Sequence, residues 1–228
     1  MTATDYQDDR GNRADCGGAS HRSVRVDFRG AGNTLTIDPG AKLGRLTIEF
    51  GCDNATVSIG PNTGVSPFSG FLRLGEDSTI TLGANVSTTG PCFISAVEGV
   101  TVCVGNDVMI ASENEIRADD GHPIFDVTTG LRVNPAKDIT IGDHVWIAKR
   151  AVLLGGSTMG DGSILGYGAI LKGSVPNNAV AAGVPARVVR KNVAWERPHL
   201  SLAKPPYKPD SSVIATTAWW NETSDSLV

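Results

Sequence analysis

The stretch Ile141-Gly-Asp-His-Val-Trp-Ile147-Ala-Lys-Arg-Ala-Val-Leu153-Leu-Gly-Gly-Ser-Thr-Met159-Gly-Asp-Gly-Ser-Ile-Leu165-Gly-Tyr-Gly-Ala-Ile-Leu171-Lys-Gly-Ser-Val175 decides the fold. An apolar side chain returns at every sixth residue: Ile141, Ile147, Leu153, Met159, Leu165 and Leu171. Four places after each sits a small or β-branched residue: Val145, Ala151, Ser157, Ser163, Ala169 and Val175. Upstream, the same step runs through Leu74, Ile80, Val86, Cys92, Val104, Ile110 and Ile116, broken only at Glu98. Before residue 74 the pattern is looser (Ile37, Leu43, Ile48, Ile59, Val65). A period of six matches neither a 3.6-residue helix nor a simple alternating strand. It matches a solenoid whose short strands turn a corner every six residues, with the apolar residue pointing inward and the small one letting the backbone bend. Three faces make a triangular coil of roughly 18 residues, and seven or eight coils stacked about 4.8 Å apart make a prism roughly 35–40 Å long. A β-sandwich of short strands would not hold one phase through so many hexads. The expected class is an all-β solenoid, a parallel β-helix of hexapeptide repeats.

Ile141 follows Ile116 by 25 positions, one more than a multiple of six, and the interval includes Gly121, Pro123, Gly130 and Pro135. This stretch cannot hold coil geometry, so a loop over about 118–138 is expected to be extruded, and a loop that long inside a regular repeat is usually functional. The chain then divides into a flexible N-terminal tail at 1–25 and a β-helix over 26–178. A C-terminal cap or short basic helix follows at 179–197, and an extended tail at 198–228. The tail carries Pro198, Pro205, Pro206 and Pro209, and its adjacent Trp219 and Trp220 are expected to dock on the body or on a neighbour.

Composition narrows the class. The chain has 228 residues with a net charge of −4, which argues against a nucleic-acid partner. No apolar run approaches the roughly 18 residues of a membrane span, and the N-terminus reads as neither a signal nor a transit peptide. Cys16, Cys52, Cys92 and Cys103 are widely spaced without a CxxC pair, which fits reduced thiols and a cytoplasmic location better than disulfides or zinc.

The chain resembles the hexapeptide-repeat acyltransferases, left-handed parallel β-helix enzymes, and in particular their sugar and polysaccharide O-acetyltransferase branch. The residues that carry the resemblance run from Gly105-Asn-Asp-Val-Met-Ile-Ala111 through Asp120-Gly-His-Pro-Ile124 to Ile139-Thr-Ile-Gly-Asp-His-Val-Trp-Ile147. They continue through Gly160-Asp-Gly-Ser-Ile-Leu-Gly-Tyr-Gly168 to Ala181-Ala-Gly-Val-Pro-Ala-Arg187 and Arg190, so the likeness covers about residues 74–192. It implies an acyl-CoA-dependent O-acyltransferase, with acetyl-CoA as donor, a sugar or polysaccharide hydroxyl as acceptor, no metal, and a homotrimer with active sites between subunits.

Acyl transfer from a thioester to an alcohol needs a base, and the chain has four histidines: His21, His122, His144 and His199. An imidazole can take the proton at neutral pH. His122 lies in the extruded loop between Gly121 and Pro123, and the resemblance places the family's catalytic base at this position. Its orienting partner stays open among Glu115, Asp119, Asp120, Asp126 and a backbone carbonyl. His144 is expected at the surface or an interface rather than as a second base. Trp146 has two compatible readings, packing beneath the loop or, by resemblance, lying beside the thioester. The resemblance further assigns coenzyme A to Trp146, Lys149, Tyr167, Lys172, Gly173, Arg187 and Arg190. Two departures stand out. The usual Thr-Lys pair reads Lys172-Gly173, and the Asn carried upstream by galactoside-type members is replaced by Gly90-Pro91-Cys92-Phe93. The loop wording is closer to the capsule and polysaccharide modifiers. No Gly-x-Ser-x-Gly elbow appears, so direct attack is expected rather than a covalent acyl-enzyme.

Three alternatives share the fold. Transfer of a longer acyl group, such as succinyl, differs only in the acyl pocket. A zinc hydratase of the γ-carbonic anhydrase kind needs three histidines around a metal, and a third ligand is hard to find here. A scaffold or ice-binding solenoid would carry a uniform Thr-rich face, a register that Thr79, Thr81, Thr88 and Thr89 do not keep.

Overall fold

The computed structural model describes residues 1–224, and the end of the expected tail at 225–228 lies outside the described residues. The chain winds into a parallel β-solenoid of about seven turns. A first face of eight strands includes His21–Phe28, Leu43–Phe50, Phe68–Leu74, Cys92–Ala96, Glu115–Arg117, Val152–Leu154 and Ile170–Leu171. A second face of nine strands includes Thr79–Leu82, Thr101–Val104, Ile139–Ile141, Thr158–Met159 and Ser174–Val175. The third face has six strands, Ser87–Thr88, Met109–Ile110, Trp146–Ile147, Ile164–Leu165, Val180–Ala182 and Arg187–Arg190.

The hexads do what their spacing requires. All six apolar residues from Ile141 to Leu171 are buried, and so are all six small residues from Val145 to Val175. Along the axis, Val152 pairs with Ile170 and Trp146 with Ile164, a step of 18 residues. Upstream the expected 18-residue coil does not hold: Thr34 pairs with Thr56, Thr79 with Thr101, and Cys92 with Gly70, each a step of 22. The reason is strand length. Strands such as Cys92–Ala96 put three alternate residues, Cys92, Ile94 and Ala96, into the core. A six-step count therefore lands on some inward residue even when the coil is four residues longer. Glu98 falls where the count fails because it sits at a corner, with φ of 67° followed by Gly99 at 70°.

Residues 1–25 are not a flexible tail. Thr2–Ala3 pairs antiparallel with His21–Phe28, and Arg13–Asp15 runs parallel to Thr34–Ile37. Ala3, Ala14 and Cys16 are buried and join the core. This polar-apolar alternation is the strand signal that the six-step count passes over. Asn12 and Asn33 close the corner, Asn33 donating to Asn12 Oδ1 at 2.9 Å and to the Cys52 carbonyl at 3.0 Å. Stacked Tyr6, Phe28 and Phe50 pack side by side in these first coils.

At the other end, residues 187–190 form a strand that folds back antiparallel on Val180–Ala182, so the cap is a hairpin and not a helix. The remaining chain crosses back over the body as a strap, held at its start by Trp195 and Arg197 and at its return by Trp219 and Thr223. No helix of the described residues is long and apolar enough to cross a membrane.

Candidate active site

The expected loop leaves the solenoid after Glu115–Arg117 on the first face and returns at Ile139 on the second. Its root is tied by two backbone bonds, Ala118 N to the Ser95 carbonyl at 3.0 Å and Lys137 N to the Ala118 carbonyl at 3.1 Å. Asp119 is buried beneath it, accepting from Arg73 at 3.0 Å and from the Ser95 hydroxyl. Beyond the root the loop makes its own small antiparallel hairpin. Val133 N donates to the Ile124 carbonyl, and Asp126 accepts from Thr128 N and Thr129 N at 2.8 Å.

His122 stands at the exposed start of that hairpin. Its carbonyl accepts from Asn134 Nδ2 at 2.9 Å, and the same amide nitrogen donates to Asp120 Oδ2 at 2.9 Å. Asn134 Oδ1 accepts from Ile124 N at 2.7 Å. The strip is anchored to the coil through Arg132, which pairs with Glu98 at 2.8 Å; that guanidinium, with the Ala136 N–H, holds the Glu98 carboxyl below its usual range. Of the four carboxylates open as orienters, Glu115 pairs with Arg117, Asp119 with Arg73, Asp120 with Asn134, and Asp126 caps a turn. None of the described residues hydrogen-bonds the His122 ring. Asn134 is the residue that sequence reasoning passed over, because its role is to complete a turn twelve positions away.

Trp146 is half-buried on the third face, on the outward side of the strand whose Ile147 is in the core. It lies tilted at 6.1 Å against Trp195, so its packing partner is the strap and not the loop. His144, two residues earlier, is not a surface residue: it is 1% exposed. Its Nδ1 meets Asp107 Oδ2 at 2.6 Å and its Nε2 meets the Trp195 carbonyl at 3.0 Å. Both ring nitrogens are thus occupied, one by a carboxylate and one by a backbone carbonyl. The ring stacks at 4.2 Å on Trp195 and at 5.9 Å on Trp219. His144 occupies the corner column Asn85, Asp107, His144, Gly162, Asn178, all with positive φ, where Gly, Asn and Asp are the usual tenants. Arg197 completes the tie, reaching Asp107 Oδ1 at 2.7 Å and the Ser87 hydroxyl at 2.9 Å. Burial raises the Asp107 carboxyl, but the His144 and Arg197 hydrogen bonds outweigh it and hold it below its usual range.

The residues expected around coenzyme A fall in three places. Trp146, Arg187 and Arg190 lie on the third face. Their register is a column: Trp146 pairs with Ile164, Ile164 with Val180, and Val180 with Arg190. Three strand spacings put Arg190 roughly 14 Å from Trp146 along that face. Lys149 and exposed Tyr167 lie at the corner leading to the first face, with Lys149 bound to Glu113 at 2.9 Å and Tyr167 to Arg150 at 3.2 Å. Lys172 and Gly173 follow Ile170–Leu171, at the corner where the His122 loop also leaves. One chain therefore separates His122 from the face bearing Trp146. Cys92 is no alternative nucleophile, since burial, aided by the Glu115 charge, pushes its thiol up to about 12. All four cysteines are free, and among the described residues no cluster of three metal-binding side chains forms.

The hexads, the triangular winding and the extruded loop define a hexapeptide-repeat solenoid. A family model described as bacterial transferase hexapeptide (six repeats) matches residues 138–173. A polysialic acid O-acetyltransferase of Neisseria meningitidis is 31% identical over 176 residues, covering 77% of this chain and 80% of that protein. The polysialic acid O-acetyltransferase of Escherichia coli O1:K1 is 36% identical over 132 residues, but the chain spans only 43% of its length. The crystal structure of the polySia-specific acetyltransferase NeuO superposes with a TM-score of 0.68 at 32% identity, covering 77% of this chain and 79% of that one. The chain belongs to the hexapeptide-repeat sugar O-acetyltransferase family.

Proposed function

We propose that this protein transfers an acetyl group from acetyl-CoA to a hydroxyl of a sugar, oligosaccharide or polysaccharide in the cytoplasm, with His122 as general base, in a trimer whose sites lie between neighbouring chains. The observation that carries this reading is the division of the site residues around the prism. His122, Lys172 and Gly173 sit at the corner between first and second faces, while Trp146 and the Arg187–Arg190 strand occupy the third. A complete site forms when that corner of one chain meets the third face of the next, as cyclic symmetry allows for every subunit at once. The loop is suited to such a contact: Ile124, Phe125, Val127, Leu131 and Val133 are all exposed on it, with Val127 at 100%. Five exposed apolar side chains on one short hairpin support the reading that another chain covers this surface.

In this site the His122 imidazole accepts the acceptor hydroxyl's proton as the oxygen attacks the thioester carbonyl, and coenzyme A leaves as the thiol. The acceptor class rests on the polysialic acid enzymes to which the chain is similar. Incubation with acetyl-CoA and a panel of sugars, oligosaccharides and acidic polysaccharides is expected to release thiol only with an acceptor present. Thiol release that is indifferent to every saccharide would refute the assignment. Arg187 and Arg190, both exposed on the edge strand, are expected to meet the 3′-phosphate. Arg190→Ala should raise Kd for coenzyme A by about tenfold, as for one charge-assisted contact, and leave dephospho-coenzyme A nearly unchanged. Equal losses for both would place the phosphate elsewhere.

A further inference from the structure

Asp119 is a buried carboxylate for which the proposed proton transfer has no direct use. Its side chain is 2% exposed, and it stands three positions before His122. Its setting begins on the first face, where Arg73, Ser95 and Arg117 lie in register on adjacent strands. Their neighbours Leu72, Leu74, Ile94, Ala96 and Ile116 fill the core, so this row points outward. Ser95 is nevertheless fully buried, because the root of the loop turns back over it. Arg73 Nη2 donates to Asp119 Oδ1 at 3.0 Å, and Arg73 Nε donates to the Ser95 hydroxyl at 3.2 Å. That hydroxyl in turn donates to Asp119 Oδ2. Both carboxylate oxygens are therefore held, and the three side chains close a ring of hydrogen bonds. Phe93 packs beside the clamp, with the Arg73 guanidinium carbon 6.0 Å from its ring centroid.

We propose that Asp119 is a positioning residue for the acyl transfer: clamped by Arg73 and Ser95, it fixes the root of the loop and with it the place where His122 is presented. The inference rests on His122 as the base, and Asp119 acts on the backbone that leads to it rather than on its ring. Two observations carry it. The clamp is buried and hydrogen-bonded at both oxygens, whereas the Arg132–Glu98 pair on the far strand of the loop is partly exposed on both sides, and such pairs hold weakly in water. Only Asp120 and Gly121 lie between the clamp and His122, and Gly121 has a φ of 78°, so the chain turns at once. Asn134 holds the same turn from the opposite strand. What a buried pair of this kind supplies is one geometry more than net stability. Geometry is what a base needs, since a displacement of about 1 Å costs about 10²-fold in rate.

Steady-state kinetics, their pH profile and amide exchange in the loop, all on the full chain, test the clamp together. Asp119→Ala is expected to lower kcat for acceptor-dependent thiol release about 10–100-fold and to leave KM for acetyl-CoA at the wild-type value. Amide exchange at 120–136 should speed up while exchange in the coils stays slow. The acid limb of kcat/KM should stay in place, because the same imidazole still takes the proton. Asp119→Asn keeps an oxygen for Arg73 and an amide for the Ser95 hydroxyl, so it should restore most of kcat. Arg73 is 35% exposed, so water can take up its charge once the carboxylate is gone. Ser95→Ala removes a hydroxyl and no charge, and should show the same loss of kcat by a smaller factor. Wild-type kcat in both Asp119→Ala and Ser95→Ala, with His122→Ala inactive, would overturn the clamp and leave the base in place. Loop exchange that does not change in Asp119→Ala would also refute it. So would an acid limb that moves, since the carboxylate would then act through its charge on the ring. Wild-type kcat in His122→Ala would remove the base, and this role of Asp119 with it.

Discussion

His122→Ala is expected to lower kcat for acceptor-dependent thiol release by about 10²–10⁴-fold, the usual contribution of a positioned general base. Donor binding should change little, because His122 stands on the extruded loop, away from the face that bears Trp146, Arg187 and Arg190. Fold and stability should be spared as well, since the ring is exposed and makes no hydrogen bond to the described residues. The same variant tests where the site lies. In the proposed trimer each site takes His122 from one chain and Trp146 from the next, so inactive His122→Ala and inactive Trp146→Ala chains, unfolded and refolded together, should complement. A random mixture would recover roughly a quarter of wild-type activity, the fraction of interfaces at which both residues are intact. Sedimentation of the wild type should give a particle of three chains. No recovery on mixing, with each variant still trimeric, would place both residues in one chain's site or outside it. Retention of wild-type kcat in His122→Ala would remove the base altogether.

Asp107→Ala is expected to destabilise the protein by about 2–3 kcal/mol, less than for a fully buried pair because the Asp107 side chain is 27% exposed. The loss comes from two partners at once, the His144 ring beneath Trp195 and the Arg197 guanidinium that starts the strap. A melting temperature lower by about 5–10 °C would correspond to that loss in a chain of this size. The strap should loosen first, so amide exchange at residues 195–220 should speed up before exchange in the coils does. The effect has a sign in pH. The folded Asp107 carboxyl lies below its ordinary value, so its contribution is fully present above the unfolded value of about 3.9 and is lost as pH falls through the folded pKa. Wild-type protein should therefore lose this stabilisation only in strong acid, and Asp107→Asn should flatten that limb of the stability curve. Identical acid limbs in wild type and variant would show that Asp107 carries no such load.

The solenoid was legible because its physical rule is local. Each hexad must bury one side chain and turn one corner, and Ile141 through Val175 state both requirements in plain residues. The interrupting loop was equally legible, since Gly121, Pro123, Gly130 and Pro135 cannot follow the winding. The coil length upstream was not legible. An inward residue recurs every second position along Cys92–Ala96, so a six-step count and a 22-residue coil land on the same apolar side chains. The first coil was missed for a related reason: Arg13-Ala14-Asp15-Cys16 alternates as a strand without repeating the hexad, and a polar surface face made it look like a tail.

Within the candidate site, the extruded loop that carries His122 was legible, whereas Asn134, which ties the His122 backbone, and the buried setting of His144 were not. Both depend on partners distant in sequence: Asn134 on a turn closed across the hairpin, His144 on a tryptophan 51 residues further along the chain. By itself the sequence determined the winding, the place where it breaks and the residue types available for proton transfer, because these follow from spacing and side-chain chemistry. Only the tertiary structure decided which residues share a face. The strap closes over Trp146 while His122 is carried to another corner of the prism, and that arrangement is set by how the coils stack rather than by any neighbour in the chain.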